Sequence, residues 1–410
     1  MVSEWPIVKV GNLADSISDT HKLGKDRLVF LNTSDVLLGK LLNHSYSVVR
    51  DWPGQAKKSI RKDDILFSEI RPANGRWAYV DINADDYVVS TKLMVIRSRK
   101  DHVHPRFLYH FLTSAQTTSW LQHLAESRSG TFPQITFDQV AELELALPPL
   151  IVQVRIASFL DALDNKIELN RRMNETLEAM ARALFKSWFV NFDPVRDKSK
   201  GRDPGLPKPL ADLFPDSFED SELGEIPKGW ETGPLDSILF LQRGFDLPAT
   251  QRTPGVYPVL AASGPSGTHN EHMVRGPGVT TGRSGVLGKV FYVHDDFWPL
   301  NTSLWIKEFR HSMPAYAFHL LRGLDFGSFN AGSAVPTLNR NHVHTLPVLL
   351  PPMGLIAAFE RVATTTLKRQ RHNDDQSLTL AALRDTLLPK LISGELRIEG
   401  AKRIIERTTA

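Results

Sequence analysis

Histidines are the residues of this chain that most readily suggest chemistry. It has 14 of them and no cysteine. His269 and His272 stand three apart, a spacing that could place two imidazoles on one helix face. With thiolates or a carboxylate cluster such a pair could hold zinc; thiolates are absent and no such cluster adjoins. His102–His104 and His342–His344 are HVH triplets that read as alternating strand positions with one face in solvent. The glycine-rich run GRSGVLG (282–288) lacks the Lys-Ser/Thr ending of a phosphate loop and comes before a strand pattern. No GxGxxG turn or GxSxG elbow occurs. Pro148-Pro149 and Pro351-Pro352 are followed by Leu150 and Met353, without the polar–Pro–Pro–aromatic order that amino-methyltransferases place at a target base. We expect no catalytic set, no cofactor and no metal.

Polar turns are the alternative. In the first half Lys57, Lys58, Arg61, Lys62, Arg71, Asn74, Arg76, Lys92 and Arg128 gather around Trp52 and Trp77. In the second, Arg243, Arg252, Ser263, Thr281, Arg283, Ser284, Lys289, Asn301 and Ser303 do so. Arg and Lys neutralise phosphates, while bidentate Arg and Asn read guanine and adenine edges. Any one of these arginines alone reads as a solvated charge. The argument rests on equivalent positions in two copies: Arg71–Arg76 against Thr281–Gly285, and Ser127–Gly130 against Asn330–Ser333.

The elements that must position these turns are repeated. SRSGTFPQITFDQVAELELALPPL (127–150) matches NAGSAVPTLNRNHVHTLPVLLPPM (330–353), and DDILFSEIRPANGRWAYV (63–80) matches GPGVTTGRSGVLGKVFYV (276–293). Trp5 and Trp230 each open a copy, and the offset drifts from 225 at the start to 203 at the end. Two copies agree with 410 residues, too many for one ordinary domain. Residues 1–147 and 228–350 read as mixed domains with short strands such as Tyr87–Ile96 and Val286–Val293.

After each Pro-Pro the pattern becomes one long helix, over 148–192 and 351–396. The series Leu160, Leu163, Ile167, Asn170, Asn174, Leu177, Ala181, Leu184, Trp188 keeps a heptad-like 3-4 spacing. Each helix should run about 40 residues, or about 60 Å, and pair antiparallel with its repeat. Asn170 and Asn174 could fix the register of that seam or could face a partner. Residues 193–227 are rich in Pro, Gly and charge and read as a linker, part of it ordered because Phe192, Phe214 and Phe218 suit no free tether. Residues 397–410 form a C-terminal tail.

The overall expectation is an α+β fold: two mixed α/β domains, an antiparallel helical spacer and an internal pseudo-repeat. Hydrophobic residues at 41%, charged at 23% and a net charge of +3 exclude wholesale disorder and do not by themselves name a partner. The first twenty residues carry Glu4 and Asp15 and no apolar core, so neither a signal peptide nor a membrane span is expected, and a cytoplasmic location follows.

Three segments carry a specific resemblance: LPPLIVQVRIASFLDALDNKIELNRRMNETLEAMARALFKSWFVNFDPV (147–195), SELGEIPKGW (221–230) and LRDTLLPKLISGEL (383–396). The chain resembles, over essentially its whole length, the specificity subunits of type I restriction-modification systems. The resemblance implies two target-recognition domains that each read half of a split DNA sequence, helices that set the gap, and no chemistry. It also implies double-stranded DNA, two adenine-N6 methyltransferase subunits and motor-nuclease subunits as partners. Glu168, Asn170, Arg171, Asn174, Arg182, Phe185, Trp188, Phe189, Phe192 and Asp193 are then the expected docking residues. This sequence departs from the family where Val152 precedes Gln153, and again where the second copy reads Pro-Pro-Met-Gly-Leu-Ile. A stand-alone regulator with two DNA heads is the alternative; a fused enzyme would require a methyltransferase motif.

Overall fold

The strand Ile7–Lys9 pairs antiparallel with Glu144–Ala146, setting Ile7 opposite Ala146; Glu231–Pro234 pairs likewise with Pro347–Leu350, setting Thr232 opposite Leu349. The two pairs differ by 225 on one strand and 203 on the other, the offsets at the two ends of the sequence repeat. Between these ends Ser68 faces Leu93 in one copy and Gly282 faces Ser303 in the other. The repeat is one of backbone register, not of residue type alone.

The computed structural model describes residues 5–21, 24–52, 54, 56–128, 133–326 and 337–409. The chain forms two compact units, Met1–Asn170 with Asp374–Ala410, and Arg171–Asn373. In the first, an antiparallel sheet runs in the order Ala14–Ile17, Leu93–Ser98, Ile65–Ser68, Trp77–Tyr79. A second sheet runs Tyr46–Val48, Arg27–Leu31, Tyr87–Ser90, Ala56–Ser59. The strand Ile65–Ser68 is buried throughout because its two faces serve different cores. Ile65 and Phe67 pack with Phe107 and Leu160, while Leu66 packs with Leu31 and Val89. Side chains alternate across a strand, so one apolar run can fill both. The expected single strand Tyr87–Ile96 is two, Tyr87–Ser90 and Leu93–Ser98, in different sheets. The break at Thr91 is held by Lys58, whose Nζ donates to the carbonyls of Thr91 at 3.1 Å and Leu93 at 2.9 Å.

The second unit has the matching sheet in the order Leu239–Arg243, Ser303–Phe309, Gly278–Gly282, Val290–Val293. The expected strand Val286–Val293 is shorter because 283–289 is a turn. Its entry needs Gly282, where a Cβ would lie 1.8 Å from the carbonyl oxygen of Val286. The triplet His342–His344 lies in a helix, Arg340–His344, and not in a strand. Its first turn is capped by Asn339, whose side chain accepts from the amide of Asn341. His344 is a structural histidine, with Nε2 accepting the amide of Leu241 at 2.9 Å.

The long helices run Leu150–Phe189 and Met353–Ile392, 40 residues each. That is about 60 Å at 1.5 Å per residue. Each unit contains part of both. In the first unit Arg384 Nη1 donates to Asp164 at 2.6 Å, and Asn170 donates to Gln376 at 2.9 Å and Ser377 at 3.2 Å. In the second, Asn174 donates to the carbonyl of Gln370 at 3.2 Å, while Phe185 and Trp188 meet Phe359. Numbers fall on one helix as they rise on the other, so the pairing is antiparallel in both units. A related clip fixes each helix to its sheet domain. Gln153 accepts the amide of His104 at 2.8 Å, and Glu360 accepts the amides of Ala315 at 3.0 Å and Tyr316 at 2.9 Å. These donors open the helices Pro105–Leu112 and Pro314–Gly323, whose first amides have no partner within the helix.

The segment after the first long helix is folded into the second unit. Phe192, with φ of 57°, turns the chain into Asp193–Ser199, and Phe214 is buried 5.5 Å from the ring of Trp188. Phe185, Trp188, Phe189, Phe214, Trp230 and Phe359 lie in one core. Burying each such side chain contributes roughly 1.5–3 kcal/mol. Among the described residues no helix is long and apolar enough to cross a membrane.

Candidate nucleic-acid interface

In the first unit the turn after Ile65–Ser68 carries three of the expected residues. Arg71 adopts the left-handed conformation at φ of 45°, and its amide donates to the carbonyl of Pro133 at 3.1 Å. The short turn Pro72–Asn74 follows, leaving the side chains of Arg71 and Asn74 exposed. Arg76 is committed to the fold, because Nη1 donates to the carbonyls of Ser34 at 3.1 Å and Val36 at 3.4 Å. Lys92 is exposed, with the Glu69 carboxylate 3.8 Å away. Lys58 is buried, and burial holds its ammonium below the ordinary lysine value. Its donors serve the break at Thr91, so it offers nothing to a ligand. The side chains of Lys57 and Arg128 lie outside the described residues, as do 129–130 and 330–333 of the matched turns.

In the second unit Ser303 and Thr281 are buried within the sheet. Ser303 Oγ donates to the carbonyl of Leu300 at 2.7 Å, so this residue is structural. Ser263 and Lys289 are exposed. Asn301 Nδ2 donates to the Asp246 carboxylate, and the Asn301 carbonyl accepts from Arg283 Nη1 at 3.4 Å. Arg283 and Ser284 are drawn to the next segment by main-chain bonds: Leu338 N donates to the Arg283 carbonyl at 2.8 Å, and Ser284 bridges Thr337. Here a cleft of about 470 Å³ opens, lined by Arg243, Arg283, Leu304, Thr337, Leu338, Asn339 and Arg340. The pattern of polar turns in the sequence led to Arg283 and Arg243. Arg340 and Asn339 were missed, because their place beside Arg283 arises from a bridge between segments far apart in the chain. The same bond recurs in the first unit, where Ile135 N donates to the Glu69 carbonyl at 2.9 Å.

The expected docking residues divide by burial. Asn170, Phe185, Trp188 and Phe189 are buried, the first in the seam and the rest in the core of the second unit. Asn174 and Phe192 are half-buried, Phe192 against Trp230 at 5.7 Å. Glu168 forms an ion pair with Lys40, and Arg171 one with Glu175. Arg171, Arg182 and Asp193 are exposed. The heptad reading found the inward stripe and so missed the outward apolar residues, Leu169, Met180 and Leu378, which are 51%, 60% and 71% exposed.

Two sheet-based heads in one register, polar turns of different composition and a long helix pair define a two-headed recognition protein. The family described as the type I restriction modification DNA specificity domain matches residues 3–179. The HindI type I restriction enzyme specificity subunit of Haemophilus influenzae is 32% identical, covering 96% of this chain and 100% of that protein. The MjaIX specificity subunit of Methanocaldococcus jannaschii is 24% identical over 73% of this chain and 71% of its own length. The solved S subunit of a type I restriction-modification system from M. genitalium shares the fold, with a TM-score of 0.62 at 16% identity over 95% of this chain and 96% of that one. The chain belongs to the family of type I restriction-modification specificity subunits.

Proposed function

We propose that this chain is the non-catalytic, DNA-reading subunit of a type I restriction-modification complex acting in the cytoplasm. The domains 1–147 and 228–350 each read one half of a split double-stranded target. The helices over 148–192 and 351–396 set the unread gap and dock two adenine-N6 methyltransferase subunits, through which motor-nuclease subunits join. The segment 193–227 connects the modules; 397–410, expected as a tail, instead holds the helix Ile398–Thr409, which packs into the first unit's core through Ala401.

The observation that carries this reading is the duplicated strand register with unlike turns: Arg71 and Asn74 in one head, Ser284 and Lys289 in the other. Equal scaffolds give equal presentation, and unlike side chains give two sequence preferences. Rigid geometry between two reading heads sets half-site spacing. The exposed Leu169, Met180 and Leu378 suit a protein partner on the helices and argue against a regulator that works alone. Arg171, Arg182 and Asp193 are the polar docking residues of this reading, with Ser263, Lys92 and Lys289 in the DNA-facing set.

The test is to map modified adenines in cells that express this chain with its neighbouring methyltransferase. A split motif that disappears when the chain is deleted supports the reading. Methylation that persists at the same motif overturns it.

A further inference from the structure

We infer that the cleft of the second unit is a phosphate clamp that grips the DNA backbone without reading bases, and that the first unit has no counterpart. This rests on the DNA-reading function proposed above.

Arg243, Arg283 and Arg340 line one cleft over the side chain of Leu304. Among the described residues a single carboxylate comes within ion-pair distance of the three guanidiniums, Asp246 at 4.0 Å from Arg243. Three like charges around one volume repel each other unless an anion enters, and phosphate is matched by guanidinium forks. Register adds a second observation. Arg243 pairs with Leu304 and Leu304 with Thr281, so these three share one face of the sheet. Thr281 is 1% exposed, and its hydroxyl has no hydrogen-bond partner among the described residues. A buried hydroxyl left unpaired is destabilising. It lies on the sheet face over which the cleft opens, though it is not one of the residues that line the cleft.

A base edge in the major groove is read by one arginine in the base plane. Three converging arginines instead suit a group that is charged all round and identical at every step of the duplex. The repeat shows the asymmetry. Carrying the two units' register across, Ser18, Glu69 and Phe137 stand in the first unit where Arg243, Arg283 and Arg340 stand in the second. Glu69 there sits 3.8 Å from Lys92, so the equivalent place carries an acid and no arginine. The second unit therefore supplies sequence-independent grip in addition to its reading turns.

The experiment uses the full chain assembled with its methyltransferase, carrying Arg283→Gln or Arg340→Gln. Binding is measured against salt on two duplexes, one with the motif methylated in cells and one of random sequence. Each lost phosphate contact makes the slope of log K against log salt shallower by about 0.9. The expected result is that change, with the same fold-loss on both duplexes. An unchanged slope in both variants overturns the clamp. A loss confined to the motif duplex also overturns it, since that is base reading. If Arg283→Gln fails to assemble, Arg340→Gln alone decides, because its side chain makes no main-chain bond in the described fold. An unaltered complex that binds neither duplex sinks the DNA-reading function itself, whereas binding that neither substitution disturbs removes the clamp alone.

Discussion

Asn373 donates from Nδ2 to Oδ1 of Asn174 at 2.8 Å in the helix seam of the second unit. In the first unit Asn170, the repeat equivalent of Asn373, donates to Ser377, the equivalent of Asn174, at 3.2 Å. The repeat thus places one polar contact at the same station of both helix pairs. A buried amide tolerates few misalignments, since a slipped register leaves it without partners, and this is how single asparagines specify coiled-coil register.

Asn373→Ala should destabilise the chain by about 1–3 kcal/mol, because partner groups in the seam lose their bonds. Asn174→Ala should cost a similar amount, and the double variant less than the two combined, by about 0.5–3 kcal/mol. Urea unfolding of the assembled complex measures the cycle. Strict additivity would show that the two amides do not work as a pair.

His319 makes a pH-dependent prediction. It is 5% exposed between the rings of Phe185, Phe318 and Phe359, and burial lowers its pKa to about 4 from the ordinary 6.5. As pH falls from 6.5 towards 4, the unfolded chain gains a proton that the folded one refuses. Stability should therefore fall across this window by about 3 kcal/mol and level off below it. His319→Leu should flatten that part of the profile. A profile identical in both proteins would remove His319 as the cause.

Much of this architecture is legible in residue order, for stated reasons. Helix periodicity survives over 40 residues because one face stays against a partner for the whole length, as Leu160, Leu163 and Trp188 do. The duplication is legible because strand pairing holds Ile7 with Ala146 and Thr232 with Leu349 while loops vary. Side-chain destination is not. Lys58, Thr281 and Ser303 read as polar surface in sequence, yet sit buried: Lys58 holds a strand interruption with its ammonium, Ser303 donates to a main-chain carbonyl, and Thr281 fills the sheet interior. The docking residues show the same limit: a heptad pattern marks the face turned inward, and Phe185, Trp188 and Phe189 belong to it. Arg340 was beyond reach because its cleft depends on a bridge between Ser284 and Thr337.

Adding seven residues to each long helix in register should lengthen the gap of the methylated motif and leave both half-sites as they were. One heptad, about two helical turns, keeps the seam in phase, since the apolar stripe repeats every seven residues. Mapping of modified adenines reads both quantities. Altered half-sites with an unchanged gap would remove the helices as the spacer.

The most direct measurement exchanges one reading head. Residues 228–350 are replaced by the corresponding domain of a related specificity subunit with a different motif, and methylated adenines are mapped. The account predicts a motif that keeps one half and its gap and takes the other half from the donor. A motif changed in both halves, or in neither, would contradict it.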